Sequence, residues 1–474
     1  MALRLEQLNE TVRFGTGKFG AKTEGLLELG PHMGKNIFVP HHISLPIEFF
    51  HDALVRNGIL SEDGNLLRIF FTPKQLELYR LSSRFRPAIR RVTSGDPKET
   101  CVPVPESISF SKELAVLSEI FGLVSEIPMV SRSDERTAKG IGAFSSILAT
   151  VKDFETFLGI LSEILISQFY PVPNAFKKRL SMEHGIGIQF MPAQGIVDGK
   201  EKYLSSPLSL VGFTNVAHDE VTARAAYGFD AETASSIMLV SNNLVKPYKP
   251  NNVSVRVFDL AQGQISLVGL NDLIESGSFY NLSTLNAKLL EIVPELIDAA
   301  KRVGADLYFE LKMTNFNDNL WAAVQLAKHE WKEVQVPTDF IHLKKPGYVV
   351  GSGAVSCDGA AQFSIVDLAS NAQGCGNPAK FAGKLVYGFM QGLSYGEFIA
   401  AFPLFARAAA VVDTSRLHLT GLTSHGGGIF REAGVPVVIA PEWEYWLKQN
   451  PNTPLTFYAN ELTGEAGIKI RTPE

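Results

Sequence analysis

Cysteine is scarce in this 474-residue chain: three residues, Cys101, Cys357 and Cys375, odd in number and far apart. That pattern excludes a disulfide framework or a zinc ribbon and suits a reducing cytoplasm. No long block of Lys or Arg occurs and the formal net charge is −5, which argues against nucleic acid as the main partner. Long apolar runs are missing as well. The stretches 408–412 and 435–440 fall far short of the ~20 residues that span hydrocarbon. The N-terminus, MALRLEQLNE, carries acidic residues where a secretory leader needs an apolar core. No repeat of fixed period and no low-complexity tract interrupts the chain. The expectation is a soluble, cytoplasmic protein with no membrane partner.

What is present is ordinary globular composition, 45% hydrophobic and 20% charged, and a length that predicts two to four domains. The chain passes early through the glycine-dense FGTGKFGAKT at 14–23. Good helix formers follow over 24–29, and Gly30-Pro31 ends them. Between 46 and 125, helical patterns such as 113–121 alternate with loops. One loop holds Arg80, Arg84, Arg86, Arg90 and Arg91, which read as a solvated, ion-paired surface or as a docking face for a phosphorylated partner. From 126 to 345 the texture is α+β. PMVSRS at 128–133 predicts a short strand ending in a polar turn, 154–170 a helix, and 185–191 a buried strand. Residues 285–303 have helical spacing, and Pro294 within them either kinks one helix or opens a second. Segments 306–311 and 320–326 predict a two-stranded unit. VPTDFIHLKKP at 336–346 has two prolines around an aperiodic segment and is the candidate linker. Gly- and Ala-rich α/β segments follow at 348–355, 363–368, 408–412 and 435–440. The predicted organisation is a domain over 1–335, a linker over 336–346 and a smaller α/β domain over 347–474.

The richest stretch is GLTSHGGGIFREAGVPVVIA at 421–440. A turn carrying Thr423, Ser424 and His425 opens into a short helix, Gly434 stops it, and Pro436 begins a strand. His425 therefore stands at a helix start, where free N–H groups favour an anion such as phosphate. Imidazole also attacks phosphorus at neutral pH. A histidine in such a turn equally reads as a surface or capping residue, and the glycines equally permit close packing. His418 stands in no ligand-like register with it. Ser424 and His425, being adjacent, do not face each other as nucleophile and base.

FPLFARAAAVVD at 402–413 followed by 421–440 resembles the swivelling phosphohistidine domain of the phosphoenolpyruvate synthase and pyruvate phosphate dikinase family. Thr423, His425, Arg431, Glu432, Gly434 and Pro436 match that pattern, while Leu422, Gly426, Gly427 and Ala433 depart mildly. The resemblance implies that His425 carries a phosphoryl group, with Thr423 beside it, and that an N-terminal ATP-grasp domain supplies it from ATP. GAKTEGLLEL at 20–29 with Phe38-Val39-Pro40 is similar to that domain's opening, which makes Lys22 the lysine on nucleotide phosphate; alone, it reads as a solvated surface lysine. The overlapping Gly15-x-Gly17-x-x-Gly20 imitates a dinucleotide fingerprint without a convincing βαβ frame. VSRSDE at 130–135 matches the block whose arginine, here Arg132, clamps the transferred phosphate. As a polar turn residue, Arg132 is expected to contribute little to the core. The loop 139–146 would then cover the phosphates. Gln189 and Met191 match the strand lining the adenine side, and Glu310 and Gln325 match the pair that holds Mg²⁺. Ala327 stands where the family has an arginine, and the Glu310–Gln325 spacing is longer than usual.

The fold implied is an α+β ATP-grasp-like N-terminal domain followed by a small α/β swivelling phosphohistidine domain. The function implied is an ATP-dependent, dikinase-like phosphotransferase that autophosphorylates His425 and leaves AMP. The family's pyruvate-binding barrel has no counterpart before Glu474, so the acceptor, a small molecule, is expected on a partner subunit or domain in a homo- or hetero-oligomer. Two other readings stay open: a self-contained small-molecule kinase or ligase with its acceptor in the inter-domain cleft, and a non-catalytic regulatory relative. Residues from about 346 onward are expected to swing as a rigid body.

Overall fold

The computed structural model describes residues 11–64, 70–71, 102–103, 108–135, 146–169, 171–180, 182, 184–198, 200–229, 238–241, 244–247, 254–275, 282–332, 334–335, 337, 343–344, 349–364, 367, 377–388, 402–414 and 425–471. Alternating apolar residues in the first half build strands that pair far from their sequence neighbours. Val12–Arg13, Ile43–Leu45, Gly187–Pro192, Pro128–Asp134 and Ser146–Thr150 lie side by side in that order. The first pair is parallel and the others antiparallel. Helices Leu114–Val124 and Phe154–Ser167 cover one face and bury Leu117, Ile120, Phe157, Leu161 and Ile164 against Ile43, Ile188 and Phe190. Asp153 starts the second helix by accepting from Thr156 N at 2.7 Å, an N-cap that satisfies one orphan donor.

A seven-stranded sheet follows the order Leu244–Pro247, Met238–Ser241, Glu220–Ala226, Ser209–Asn215, Asp306–Asn315, Leu320–His329, Ile37–Phe38. Helix Leu282–Val303 packs Leu285, Leu289, Ile292 and Leu296 into one cluster with Leu307, Phe309 and Leu311, apolar positions recurring at helical spacing. Pro294 sits inside this single helix and opens no second one. A further antiparallel sheet joins Gln264–Gly269, Ser254–Asp259, Tyr203–Ser205 and Ile196–Val197.

One sheet of the C-terminal part pairs its strands mainly in parallel. Ala360–Phe363, Leu385–Gly388, Ala410–Asp413 and Val437–Ile439 pair in parallel, with Val349–Val350 as an antiparallel edge. Val386, Val411 and Val437 enter one apolar cluster, and Leu385, Ala410, Val412 and Val438 enter another. These strands are thus apolar on both faces, as buried parallel strands are. A second sheet there joins Leu343–Lys344, Glu465–Ile470, Leu455–Asn460 and Gly353–Cys357.

The molecule is a mixed α/β protein with several sheets. The α/β segment read at 363–368 begins at the end of a strand, Ala360–Phe363. In the candidate linker, Leu343 and Lys344 pair with Ala466 and Glu465, so the end of that segment is ordered by the C-terminal sheet. Helix Pro171–Arg179, from the first half of the chain, sends Phe176 into the cluster that holds Phe402, Phe405 and Phe430. The arginine run 80–91, Cys101 and Cys375 lie outside the described residues. Among the described residues, no helix is long and apolar enough to cross a membrane.

Candidate functional site

Helix Ala21–Leu29 starts where two strands close in on it. A Cβ on Gly20 would fall 2.3 Å from Asp134 Cγ, so glycine is what lets the Asp134 carboxylate reach the helix start. That carboxylate accepts from Lys22 N at 2.9 Å and from Thr23 N at 3.3 Å, satisfying orphan donors at the positive end of the helix dipole. Burial pushes the Asp134 carboxyl above its ordinary value, against the pull of Lys22. Lys22 Nζ donates to Ser133 O at 2.7 Å and to Glu135 Oε2 at 2.6 Å, and both side chains are largely buried. Lys22 is therefore no solvated surface lysine. Around the glycine loop, Val12–Arg13 and Ile43–Leu45, before and after the helix in the chain, pair in parallel over only two residues, no convincing βαβ frame for a dinucleotide-binding unit.

Arg132 corrects one expectation. The strand runs on to Asp134, so Arg132 is a mid-strand residue only 6% exposed and not part of a polar turn. It pairs across the sheet with Gln189. Its Nε donates to Gln189 Oε1 at 2.6 Å, and Nη2 donates to Val324 O on the seven-stranded sheet. Gln189 Nε2 donates in turn to Thr23 Oγ1 at 3.3 Å, and Thr23 shares a hydrogen with Ser44 Oγ at 2.8 Å. Burial lowers the guanidinium pKa, while Glu310, Asp134 and Glu135 oppose it; an arginine stays charged in such surroundings. His42 lies in the same layer. Its Nδ1 donates to Pro40 O at 3.0 Å, and its buried Nε2 has no partner among the described residues. Burial holds its pKa at about 4.

Glu310 and Gln325 are direct cross-strand partners, with a β-bulge just after Glu310. The connection at 316–319 and the bulge absorb the long spacing between them. The Tyr308 hydroxyl donates to the Glu310 carboxylate, and Gln325 is buried. Arg132 is thus tied to Gln189 by a hydrogen bond, to Glu310 by charge, and through Glu310 to Gln325. Met191 packs in the apolar cluster of Leu26 and Leu29, a core position. Among the described residues, no group of three or more His, Cys, Asp or Glu side chains is placed to hold a metal. The Glu310 carboxylate and the Gln325 amide oxygen are nevertheless the hard donors that Mg²⁺ takes alongside phosphate and water.

The second half of the site follows its predicted pattern in the backbone. His425 is the first residue of helix His425–Glu432, Gly434 follows at φ +65°, and a strand begins at Val437. Thr423, the His425 side chain and the loop residues 139–145 lie outside the described residues. Arg431, in the helix's last turn, pairs with Glu461 (Nε 2.7 Å, Nη2 2.5 Å) and sets its guanidinium 4.7 Å from the Phe213 ring centroid. Phe213 lies 5.3 Å from the Tyr308 ring and 4.4 Å from His329. The His425 helix therefore leans on the sheet face that carries Tyr308 and Glu310. His329 is held neutral, at about 3, by burial and then by the Arg431 charge. Ala327 packs with Phe213 and Tyr308, so the position where an arginine was looked for is part of an apolar patch. Asp134 and Glu135 went unassigned in the sequence, although two adjacent acids at the end of a buried strand were a signal. Phe213, His329 and Arg179 had none.

No family model matches the chain, and no curated protein matches it. Among the solved structures with distant likeness to the chain are two of different kinds. One is a UPF0107 protein solved by NMR in solution, with 8% identity over 28% of this chain and 100% of that chain at a TM-score of 0.19. The other is an L-amino acid ligase from Bacillus licheniformis, with 10% identity over 60% of this chain and 65% of that chain at a TM-score of 0.18. Scores this low establish no shared fold.

Proposed function

We propose that the protein is an ATP-dependent phosphotransferase of the dikinase type. ATP is cleaved to AMP, one phosphoryl group going to His425 and the other to water or inorganic phosphate. The phosphohistidine then passes its group to a small-molecule acceptor on a partner subunit or domain. The observation that carries this reading is the docking of the His425 helix, through Arg431 on Phe213, onto the face where Tyr308, Glu310 and Gln325 stand. In this reading residues 1–335 are an ATP-grasp-like domain, 336–346 a linker and 347–474 a swivelling phosphohistidine domain. Lys22 and Arg132 bind the phosphates, Gln189 orients Arg132, Thr423 flanks the nucleophile, and Met191 backs the adenine side from the core. Glu310 and Gln325 would hold Mg²⁺, which would supply positive charge to offset the charge developing on the transferred group. The proton on the attacking imidazole nitrogen is lost before attack, which a histidine manages near neutrality. Labelling with ATP carrying isotope in its β and γ phosphates tests the proposal. The expected product is an acid-labile, base-stable phosphoramidate that is absent from His425→Ala; acid-stable label, or label surviving in that variant, would overturn it.

A second reading, a regulatory relative without catalysis, draws on Ala327 and on the engagement of Lys22 by Glu135. It expects ATP to bind with no label transferred at all.

A further inference from the structure

Helix Pro171–Arg179 stands between the two halves of the molecule. Toward the first, the buried Lys177 donates to Gln168 Oε1 at 2.8 Å. Toward the second, Phe176 packs near Phe402, ring centroids 6.3 Å apart. Arg179 ends the helix. Its Nε donates to Ala433 O at 2.5 Å, Nη1 to Ala406 O at 2.6 Å and Nη2 to Gly434 O at 3.3 Å. Ala433 and Gly434 directly follow the His425 helix. Carbonyls at a helix C-terminus lack intrahelical donors, and the dipole there favours a cation. A guanidinium presents its donors in a fixed planar fork, which an ammonium cannot reproduce.

We propose that Arg179 is a positioning residue for His425: from a helix anchored on the large domain it grips the far end of the His425 helix and so sets where the histidine meets the nucleotide. This rests on the phosphohistidine reading above. The helix has eight residues, a rod of about 12 Å with Arg179 and Arg431 holding one end and His425 at the other. A shift at the held end travels to His425, and a misplacement of ~1 Å can cost on the order of a hundredfold in rate.

The test uses the full chain, isotope in the β and γ phosphates of ATP, and Mg²⁺, with a denaturation midpoint measured for each variant. Arg179→Ala is expected to slow acid-labile labelling of His425 roughly tenfold to a hundredfold, and added guanidinium ion at low concentration should restore much of the rate. Arg179→Lys, which keeps the charge and one carbonyl contact, should fall between the two. Labelling of Arg179→Ala at the wild-type rate overturns the positioning role while leaving the phosphohistidine intact. Slow labelling that guanidinium does not restore also overturns it, because the loss is then one of general structure. A wild-type protein that takes no label removes the phosphohistidine reading and the positioning role together.

Discussion

Arg132 is a cation enclosed by protein, bonded to Gln189 and Val324 O and facing Glu310. Arg132→Ala leaves both bonded oxygens without their donor and the nearby Glu310 carboxylate without its counter-charge. The expected cost is on the order of 3 kcal/mol of stability, read from the denaturant midpoint, together with a loss of ~10²–10³ in His425 labelling. A midpoint equal to the wild type would mean that the guanidinium is not enclosed. His42 supplies a pH dependence. Its pKa falls from 6.5 to about 4 on folding, so between those values the unfolded chain binds a proton that the folded one refuses. Stability from this group is complete above 6.5 and declines as pH drops toward 4, by about 1.4 kcal/mol per pH unit. Asp134, raised by burial above 3.8, acts in the opposite sense at the acid end. Comparing His42→Gln with the wild type cancels that contribution, and the variant is expected to lose less stability between about pH 7 and about pH 4.5. An equal loss in both proteins would count against a neutral buried His42.

Individual helices differ in what their glycines do. Gly25 brings helix Ala21–Leu29 onto strand Leu320–His329, where a Cβ would lie 2.1 Å from Leu326 O. Gly25→Ala must lift the helix away from a backbone atom that cannot yield, and should cost ~1–3 kcal/mol. Gly159, inside helix Phe154–Ser167, has open space around it, with nothing within 4 Å of the point a Cβ would occupy. Gly159→Ala should instead stabilise by about 0.5–1 kcal/mol through helix propensity. Thermal melts of the two variants should move in opposite directions, and a shared direction would show that the helix–strand contact is looser than the geometry requires. Spacing and stop signals placed the end of the first helix at Leu29 and the start of the second at Phe154, while the first begins three residues before the expected 24 and the second ends three before the expected 170. The contact that makes Gly25 indispensable was not readable from them, since Leu326 lies on a strand in a distant part of the chain.

At the scale of the whole molecule, the proposed transfer from nucleotide to a separate acceptor would require the His425 unit to leave the rest of the chain. Helix Pro171–Arg179 complicates a hinge at 336–346 alone, because Phe176 and Arg179 hold the small side while Lys177 holds the large one. A disulfide designed across the docked interface is expected to leave His425 labelling in place and to stop transfer to the acceptor. Unimpaired transfer by the locked protein would place the acceptor in the same cleft and favour a self-contained kinase.

Local patterns were enough to find a helix starting at 154, though not its end at 167, the short helix opening at 425, the buried strand through Gln189, and the paired strands of Glu310 and Gln325, because periodicity and capping act between residues a few positions apart. The proposal of His425 came from the resemblance of its unbroken run of neighbours to a known pattern, since the local residues alone equally suit a capping histidine. The environment of Arg132 was out of reach of local patterns. Whether a residue near a strand's end is a solvated turn or an enclosed cation depends on what the rest of the chain lays over it, here Val324 and Glu310 from another sheet. The same holds for Phe213 beneath Arg431 and for Arg179 at the end of the His425 helix. Each is an ordinary residue in its own segment, and acquires its role only when tertiary packing places a distant backbone or ring within hydrogen-bond or van der Waals range.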